Sequence, residues 1–361
     1  MKTIGLLVYD CSLVGGAERV AINMAKELSA FYKVHLISLF SEKDKSVYES
    51  EKYTSAVISS TSLSITKHFF KLSGKIKKYI KENNIEVLFA ITAGVVTLAV
   101  NAASGIKTKV VYCEHSTLVN KTYGKKHELR QLIGAKLSDV SVALTKEDMG
   151  YFKKMYKLPD RKLRYIYNWS EFEPVLAPYD EESRKIISVG RLEYVKGYDL
   201  LLEAAEKVYE KHPQWHWDIY GGGSYKEKIE SGIKEKKLEN FITLKGSVND
   251  LNKRYSEYSF FVQTSYYEGF SLTLLEARLS GLPTVSFNCP TGPMEIVADG
   301  VNGILVPCYD TEKLADAVNK LIENSELRVS MALHSGDNIE KFSKEKIIEE
   351  WKALIKELTE G

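Results

Sequence analysis

Apolar residues gather in short runs at 3–9, 34–40, 87–91, 110–113 and 140–144, each rich in Val, Ile, Leu, Phe or Tyr. Runs of that length and type predict strands buried on both faces. Between them, at 17–28 and 76–81, apolar positions recur at the spacing of amphipathic helices. The second half repeats the scheme, with strands predicted at 186–189, 216–220, 241–244, 260–264, 284–287 and 304–306. Helices are predicted there at 200–209, 272–279 and 314–322. Alternation of strand and helix implies parallel sheets with helices packed on their faces. The alternation breaks near 168–179, where Pro174 and Pro178 cluster, and 361 residues exceed what one core normally serves. An α/β fold of two doubly wound domains follows, one over 1–170 and one over 180–343. In such sheets ligands bind beyond the carboxyl ends of the strands, so the loops there are where chemistry is sought.

Composition changes this picture little. The chain is 44% hydrophobic and 27% charged, as in ordinary globular proteins. The four cysteines are scattered with no C-x-x-C pair, so neither a disulfide framework nor a zinc site is indicated, and a reducing compartment fits. No apolar stretch reaches the length of a membrane span, and the first ten residues suit a strand better than a signal peptide, which makes a cytoplasmic protein the expectation. The net charge of +2 hides an asymmetry. Residues 1–170 hold 27 Lys and Arg against 15 Asp and Glu, a net +12, and the remainder carries −10. A basic first half suggests an anionic surface partner. The segment 67–81 interleaves Lys67, Lys71, Lys75, Lys77, Lys78 and Lys81 with aromatic and aliphatic residues, as would a basic amphipathic helix on anionic lipid. An ordinary surface helix has the same pattern. Lys121, Lys125, Lys126 and Arg130 add to the excess.

The loops hold the candidate chemistry. Gly15 and Gly16 open a helix after the first strand and allow close backbone approach to a phosphate or sugar, although many such pairs are only turns. This is not the G-x-G-x-x-G of nicotinamide sites. Glu114 and His115 end a strand, so the pair is expected to face the crevice, or else to be a solvated loop. Gly190, Arg191 and Lys196 follow the first strand of the second half, where a guanidinium fork and a flexible ammonium can clamp a diphosphate. Gly221, Gly222 and Gly223 end another strand. The most informative stretch is Glu268-Gly269-Phe270-Ser271-Leu272 leading to Glu276. It places two carboxylates on either side of a helix N-terminus whose free N–H groups favour an anion.

Together these loops resemble the retaining glycosyltransferases of family 4, which have the GT-B fold of two Rossmann-like domains facing across a cleft. The resemblance runs in order from Gly15 to Gly303 and is most specific in three places: Val189-Gly190-Arg191 with Lys196-Gly197, Glu268-Gly269-Phe270 with Glu276, and Asp299 to Val306. It implies that Arg191 and Lys196 neutralise the donor's diphosphate. Backbone N–H groups around Phe270, Ser271 and Leu272 would hold the distal phosphate and sugar. Glu276 would bind the ribose, Glu268 the transferred sugar, and Gly16 would approach the phosphates or acceptor. His115 resembles the family's pocket histidine. The usual fourth residue of E-G-F-G is Ser271 here. The C-terminal helix, about 344–361, would pack back on the first domain. The Gly15-to-Arg19 loop and Cys289-Pro290-Thr291-Gly292-Pro293 look most like members that build bacterial surface polysaccharides.

The expected activity is metal-independent, retaining transfer of a hexose or N-acetylhexosamine from a nucleotide diphosphate sugar, UDP-linked, to a saccharide that is lipid-linked. The chain has no D-x-D, so cations and a helix end would meet the leaving-group charge, with no cofactor or metal. Nucleic acid is not an expected partner; an anionic inner-membrane surface is. Two other readings stand beside this one: a sugar-nucleotide epimerase on the same architecture, and a non-catalytic nucleotide-sugar binding module.

Overall fold

The computed structural model describes residues 1–13, 15–41, 48–119, 124–175 and 177–360; of the basic residues named above, Lys121 lies outside them. The chain divides into two compact units, Met1–Asn168 with Lys344–Gly361, and Trp169–Ser343.

The first unit is built on a parallel sheet of β1 (Thr3–Asp10), β2 (Lys33–Phe40), β3 (Thr54–Val57), β4 (Val87–Ile91), β5 (Lys109–Cys113), β6 (Val140–Ala143) and β7 (Leu163–Tyr165). Their order is β3-β2-β1-β4-β5-β6-β7. In the central register Leu6 lies opposite Leu36 on β2 and Phe89 on β4, so apolar side chains stack across strands. Leu7, Leu88, Val96, Tyr112 and Phe152 belong to the buried core beneath the helices. The helix Lys344–Glu360 is part of this unit. It buries Ile347, Ile348, Trp351, Leu354 and Ile355, one stripe at helical spacing, and sets Trp351 edge-on to Phe89 at 5.6 Å. Its last turn is pinned by Arg164 to Glu357 at 2.6 Å and Lys2 to Glu360 at 2.7 Å.

The second unit holds β8 (Lys185–Val189), β9 (His216–Tyr220), β10 (Ile242–Gly246), β11 (Phe260–Gln263), β12 (Thr284–Phe287) and β13 (Gly303–Val306), all parallel, in the order β10-β9-β8-β11-β12-β13. Ile186, Trp217, Phe260, Val285 and Phe287 form its buried centre. Helix Thr311–Glu323 covers one face with Leu314, Val318 and Leu321, and the Asp310 carboxylate caps it by accepting from the Lys313 N–H at 3.0 Å. The segment 169–179, where the alternation of strand and helix breaks, belongs to this unit. Its Val175 N–H donates to the Asn252 carbonyl at 3.3 Å, and the Tyr179 hydroxyl to the Ser259 carbonyl at 2.7 Å.

Among the described residues no helix is long and apolar enough to cross a membrane. The basic segment forms helix Phe69–Glu82, which buries Leu72, Ser73, Ile76 and Ile80 against the first unit. Its cations lie on the outer face. Lys75 reaches the Ile58 carbonyl at 3.2 Å, Lys77 the Ser104 carbonyl at 2.5 Å and Lys78 the Glu82 carboxylate at 3.7 Å.

Candidate active site

The strand order of the second sheet reverses between β8 and β11, the crevice position where doubly wound sheets take ligands. The loop after β8 makes a single 3₁₀ turn, Tyr194–Lys196, closed by Gly197 at φ +63°. A Cβ at Gly197 would run into the Thr264 carbonyl oxygen, so no larger residue fits there without moving the next loop. Gly221, at φ +141°, lies equally close to the Gly190 carbonyl. Two backbone bonds join these loops, Gly190 N–H to Tyr220 at 3.0 Å and Leu192 N–H to Gly222 at 2.9 Å. The loop after β11 is tied in turn to the loop after β8. The Thr264 hydroxyl donates to the Lys196 carbonyl at 3.0 Å, and the Tyr266 N–H to the Val195 carbonyl at 2.8 Å.

This stitching brings Lys196 and Glu268 together, 72 residues apart in sequence, at 2.8 Å. The side chains are 18% and 10% exposed, so water screens the pair only weakly. The Ser265 hydroxyl also donates to Glu268 Oε1, at 2.6 Å, and the Thr291 hydroxyl donates to the Glu268 carbonyl. Thr291 itself stands at φ +62°, a conformation a β-branched residue adopts only when its surroundings hold it there. The Cys289–Pro293 turn thus props the Glu268 loop. Arg191, by contrast, is exposed, and no hydrogen bond or ion pair engages its guanidinium among the described residues.

Phe270 is buried edge-on against Phe342, so only its backbone is available to a ligand. Ser271 stands in extended backbone, φ −80°, where no glycine is required. Its hydroxyl bonds Gln263 and does not cap the helix Leu272–Leu279, so the N–H groups at that helix start have no side-chain cap. Glu276 lies in the second turn and accepts from the Ser170 hydroxyl at 3.1 Å. The third specific motif is structural: Asp299 accepts from the Leu305 N–H and Asn302 from the Ala298 N–H, both at 2.9 Å, forming the turn into β13.

In the first unit, Gly15 precedes the helix Gly16–Leu28 and Gly16 has open space where a side chain would stand. Glu114 does not open onto the strand-end crevice as expected. It is buried and accepts from the Tyr112 and Ser116 hydroxyls, the Ser116 N–H and Gln131 Nε2. The adjacent His115 is half-buried, and loss of hydration pushes its imidazole down to about 4 despite the opposing pull of Glu114. His115 is therefore neutral at pH 7.

Of the residues singled out from sequence, Gly190, Arg191, Lys196, Gly222, Glu268, Phe270, Ser271, Leu272 and Glu276 all stand in the second unit, in the loops after β8, β9 and β11 or in the first two turns of helix Leu272–Leu279. Gly15, Gly16 and His115 belong to the first. Ser265 was not singled out, and Thr291 only as part of the Cys289–Pro293 stretch; a single hydroxyl in a polar loop gives no pattern to read. Among the described residues no group of three His, Cys, Asp or Glu is placed to hold a metal ion.

Residues 172–334 match the family model of glycosyl transferases group 1, and residues 14–171 that of glycosyltransferase family 4. The chain belongs to glycosyltransferase family 4. It is 28% identical over 356 residues to an uncharacterized glycosyltransferase of Haemophilus influenzae, covering 98% of this chain and 100% of that one. It is 26% identical over 365 residues, again 98% and 100%, to the amylovoran biosynthesis glycosyltransferase AmsD of Erwinia amylovora. A crystal structure of a Staphylococcus aureus TarM variant with fondaparinux, alpha-GlcNAc-glycerol and UDP superposes with a TM-score of 0.83, at 18% identity over 98% of this chain and 99% of that one. The fold of this glycosyltransferase is GT-B, two Rossmann-like domains on parallel sheets.

Proposed function

We propose that this glycosyltransferase moves a hexose or N-acetylhexosamine from a UDP-linked donor to a lipid-linked saccharide, with retention at the anomeric carbon and without a metal ion, in surface polysaccharide or glycolipid assembly. The observation that carries the reading is the Lys196–Glu268 pair beside the free Arg191 and the uncapped helix start. A leaving diphosphate needs positive charge that is already in place when its own charge develops. Arg191 offers a bidentate fork and Lys196 a point charge that Glu268 keeps from swinging into solvent. Glu276 suits a ribose hydroxyl, and the second oxygen of Glu268 a hydroxyl of the sugar.

Glu268 already accepts from an ammonium and a hydroxyl, which blunts it as a nucleophile and favours a binding role. Retention then requires the acceptor to attack on the face that the diphosphate leaves. The bond from the anomeric carbon to phosphate oxygen breaks, the bond to the acceptor oxygen forms, and the acceptor's proton passes to the departing phosphate. His115, neutral at pH 7, would take part as a hydrogen-bonding partner and not as a cation. The TarM structure holds UDP and alpha-GlcNAc-glycerol, which supports a UDP and N-acetylhexosamine choice, and AmsD serves amylovoran biosynthesis, which supports a polysaccharide setting. An anionic membrane would meet the basic outer face of helix Phe69–Glu82.

A thermal-shift panel of UDP-, GDP- and ADP-sugars in chelator, followed by acceptor-dependent UDP release, tests the reading. UDP-sugars should raise the melting temperature most, and Glu268→Gln should bind UDP while losing turnover. Stabilisation by another base, or release that ignores the acceptor, would remove it.

A further inference from the structure

The first unit carries a cavity of about 1060 Å³ that no step above uses. That is just above the range for small-molecule sites, roughly 300–1,000 Å³. Its floor is one face of helix Ala93–Ala103 with the residue after it: Thr97, Val100, Asn101 and Ser104. One wall is a face of helix Lys125–Leu137, where Lys126, Leu129, Arg130, Ile133 and Leu137 recur at helical spacing. The other wall is Ile65 and Phe69, beside the start of helix Phe69–Glu82.

Helix Lys125–Leu137 packs the wrong way round for a water-soluble surface. It buries Gln131, Gly134 and Ala135, with Gly134 set tightly against Val96, and leaves Leu129 and Leu137 55% and 65% exposed. Phe70, edge-on to the lining Phe69 at 5.4 Å, is 80% exposed. An ordinary surface helix does the reverse, and an apolar patch of this kind marks an interaction site.

The charges around it are one-sided. Lys107, Lys109, Lys126 and Arg130 line the groove against a single carboxylate, Asp139, which Lys109 already pairs at 3.3 Å and which accepts from the Val110 N–H. Lys107, Lys126 and Arg130 have no carboxylate or hydrogen-bond acceptor engaged among the described residues. An apolar trough with a cationic rim is complementary to an acyl chain ending in a phosphate.

We infer that this groove seats an acyl chain of an anionic phospholipid from a bilayer leaflet, with the phosphate held by Lys107, Lys126 and Arg130. The inference rests on the membrane part of the function proposed above and not on the donor chemistry. It adds a lipid contact between helices to the one proposed for the outer face of helix Phe69–Glu82.

The test is sedimentation with phosphatidylcholine vesicles, with and without phosphatidylglycerol, and no acceptor present. The full chain should bind only the anionic vesicles. Lys107→Glu with Lys126→Glu and Arg130→Glu should weaken binding at least about a hundredfold, at roughly a factor of five per cation removed from an anionic surface. Leu129→Asp with Leu137→Asp should abolish it; both positions are exposed, and unchanged melting temperatures confirm folding. Leu129→Trp adds a direct reading. The four native tryptophans are all buried, so acyl chains brominated near the headgroup should quench only the new one. Failure of the full chain to bind anionic vesicles removes the membrane reading and the groove together, and leaves the trough to a partner protein. Binding that survives the two aspartates, or no quenching of the bound Leu129→Trp variant, removes the groove alone.

Discussion

Replacing Lys196 by Met keeps the aliphatic stem but removes the cation 2.8 Å from Glu268. At an effective dielectric of 20, two charges about 3 Å apart attract by about 5 kcal/mol, most of which their own desolvation cancels. The loss is larger than the pair's net worth, because a carboxylate only 10% exposed is left behind. Removing one member of a buried pair costs about 3–5 kcal/mol. Lys196 is partly exposed and Ser265 stays on the carboxylate, so we expect about 2–3 kcal/mol for Lys196→Met. Glu268→Gln should cost about 1–2 kcal/mol, and the double variant no more than the worse single one, giving a coupling of about 2 kcal/mol. Urea unfolding followed by tryptophan fluorescence reads this, since Trp169, Trp215 and Trp217 lie in the same unit as the pair. Turnover should behave differently. The double variant is no less stable than Lys196→Met yet stays at least about a hundredfold down, because each preorganised donor is worth a few kcal/mol to the transition state. Additivity of the two singles within about 0.5 kcal/mol, or turnover returning with stability, would show that the pair is not coupled in this way.

Burial pushes the Asp148 carboxyl up to about 7, in spite of bonds from the Thr117 hydroxyl and the Leu118 N–H. The folded chain then holds a proton that the unfolded chain has lost, so stability falls as pH rises from about 4 to 7. Asp148→Asn should gain on the wild type over that window by up to about 4 kcal/mol, a shift of roughly three units at 1.4 kcal/mol each. Melting temperatures of the two proteins against pH check this, and a constant difference would contradict it. His115 works in the opposite sense, losing stability as pH falls from 6.5 to about 4, and cancels in the comparison. Trp351→Ala should cost about 3–5 kcal/mol by emptying its place beside Phe89, read as an early melting step of the first unit.

The central strands and the doubly wound plan were legible because buried parallel strands are nearly continuous apolar runs. β3 and β7 were not. Both are edge strands, one partly exposed and the other three residues long, so neither leaves a run to read. Helix Lys125–Leu137 escaped for another reason: apolar residues on both faces blur the periodicity that marks a helix. At the site, residue types in loops announced the cations and carboxylates. Their pairing did not show, since only folding brings Lys196 to Glu268 across 72 residues. The inward turn of Glu114 was likewise set by Tyr112 and Gln131, which no local pattern links to it.

Fixed cations and a helix start, not a bound ion, are proposed to receive the diphosphate. Calorimetry of UDP binding in chelator, for the wild type and for Arg191→Met with Lys196→Met, checks this. Binding should be indifferent to added magnesium or manganese and fall at least about a hundredfold in the double variant, two charge-assisted contacts at about 1.5–3 kcal/mol each. Binding that appears only with a divalent ion, or that survives loss of both cations, would contradict it.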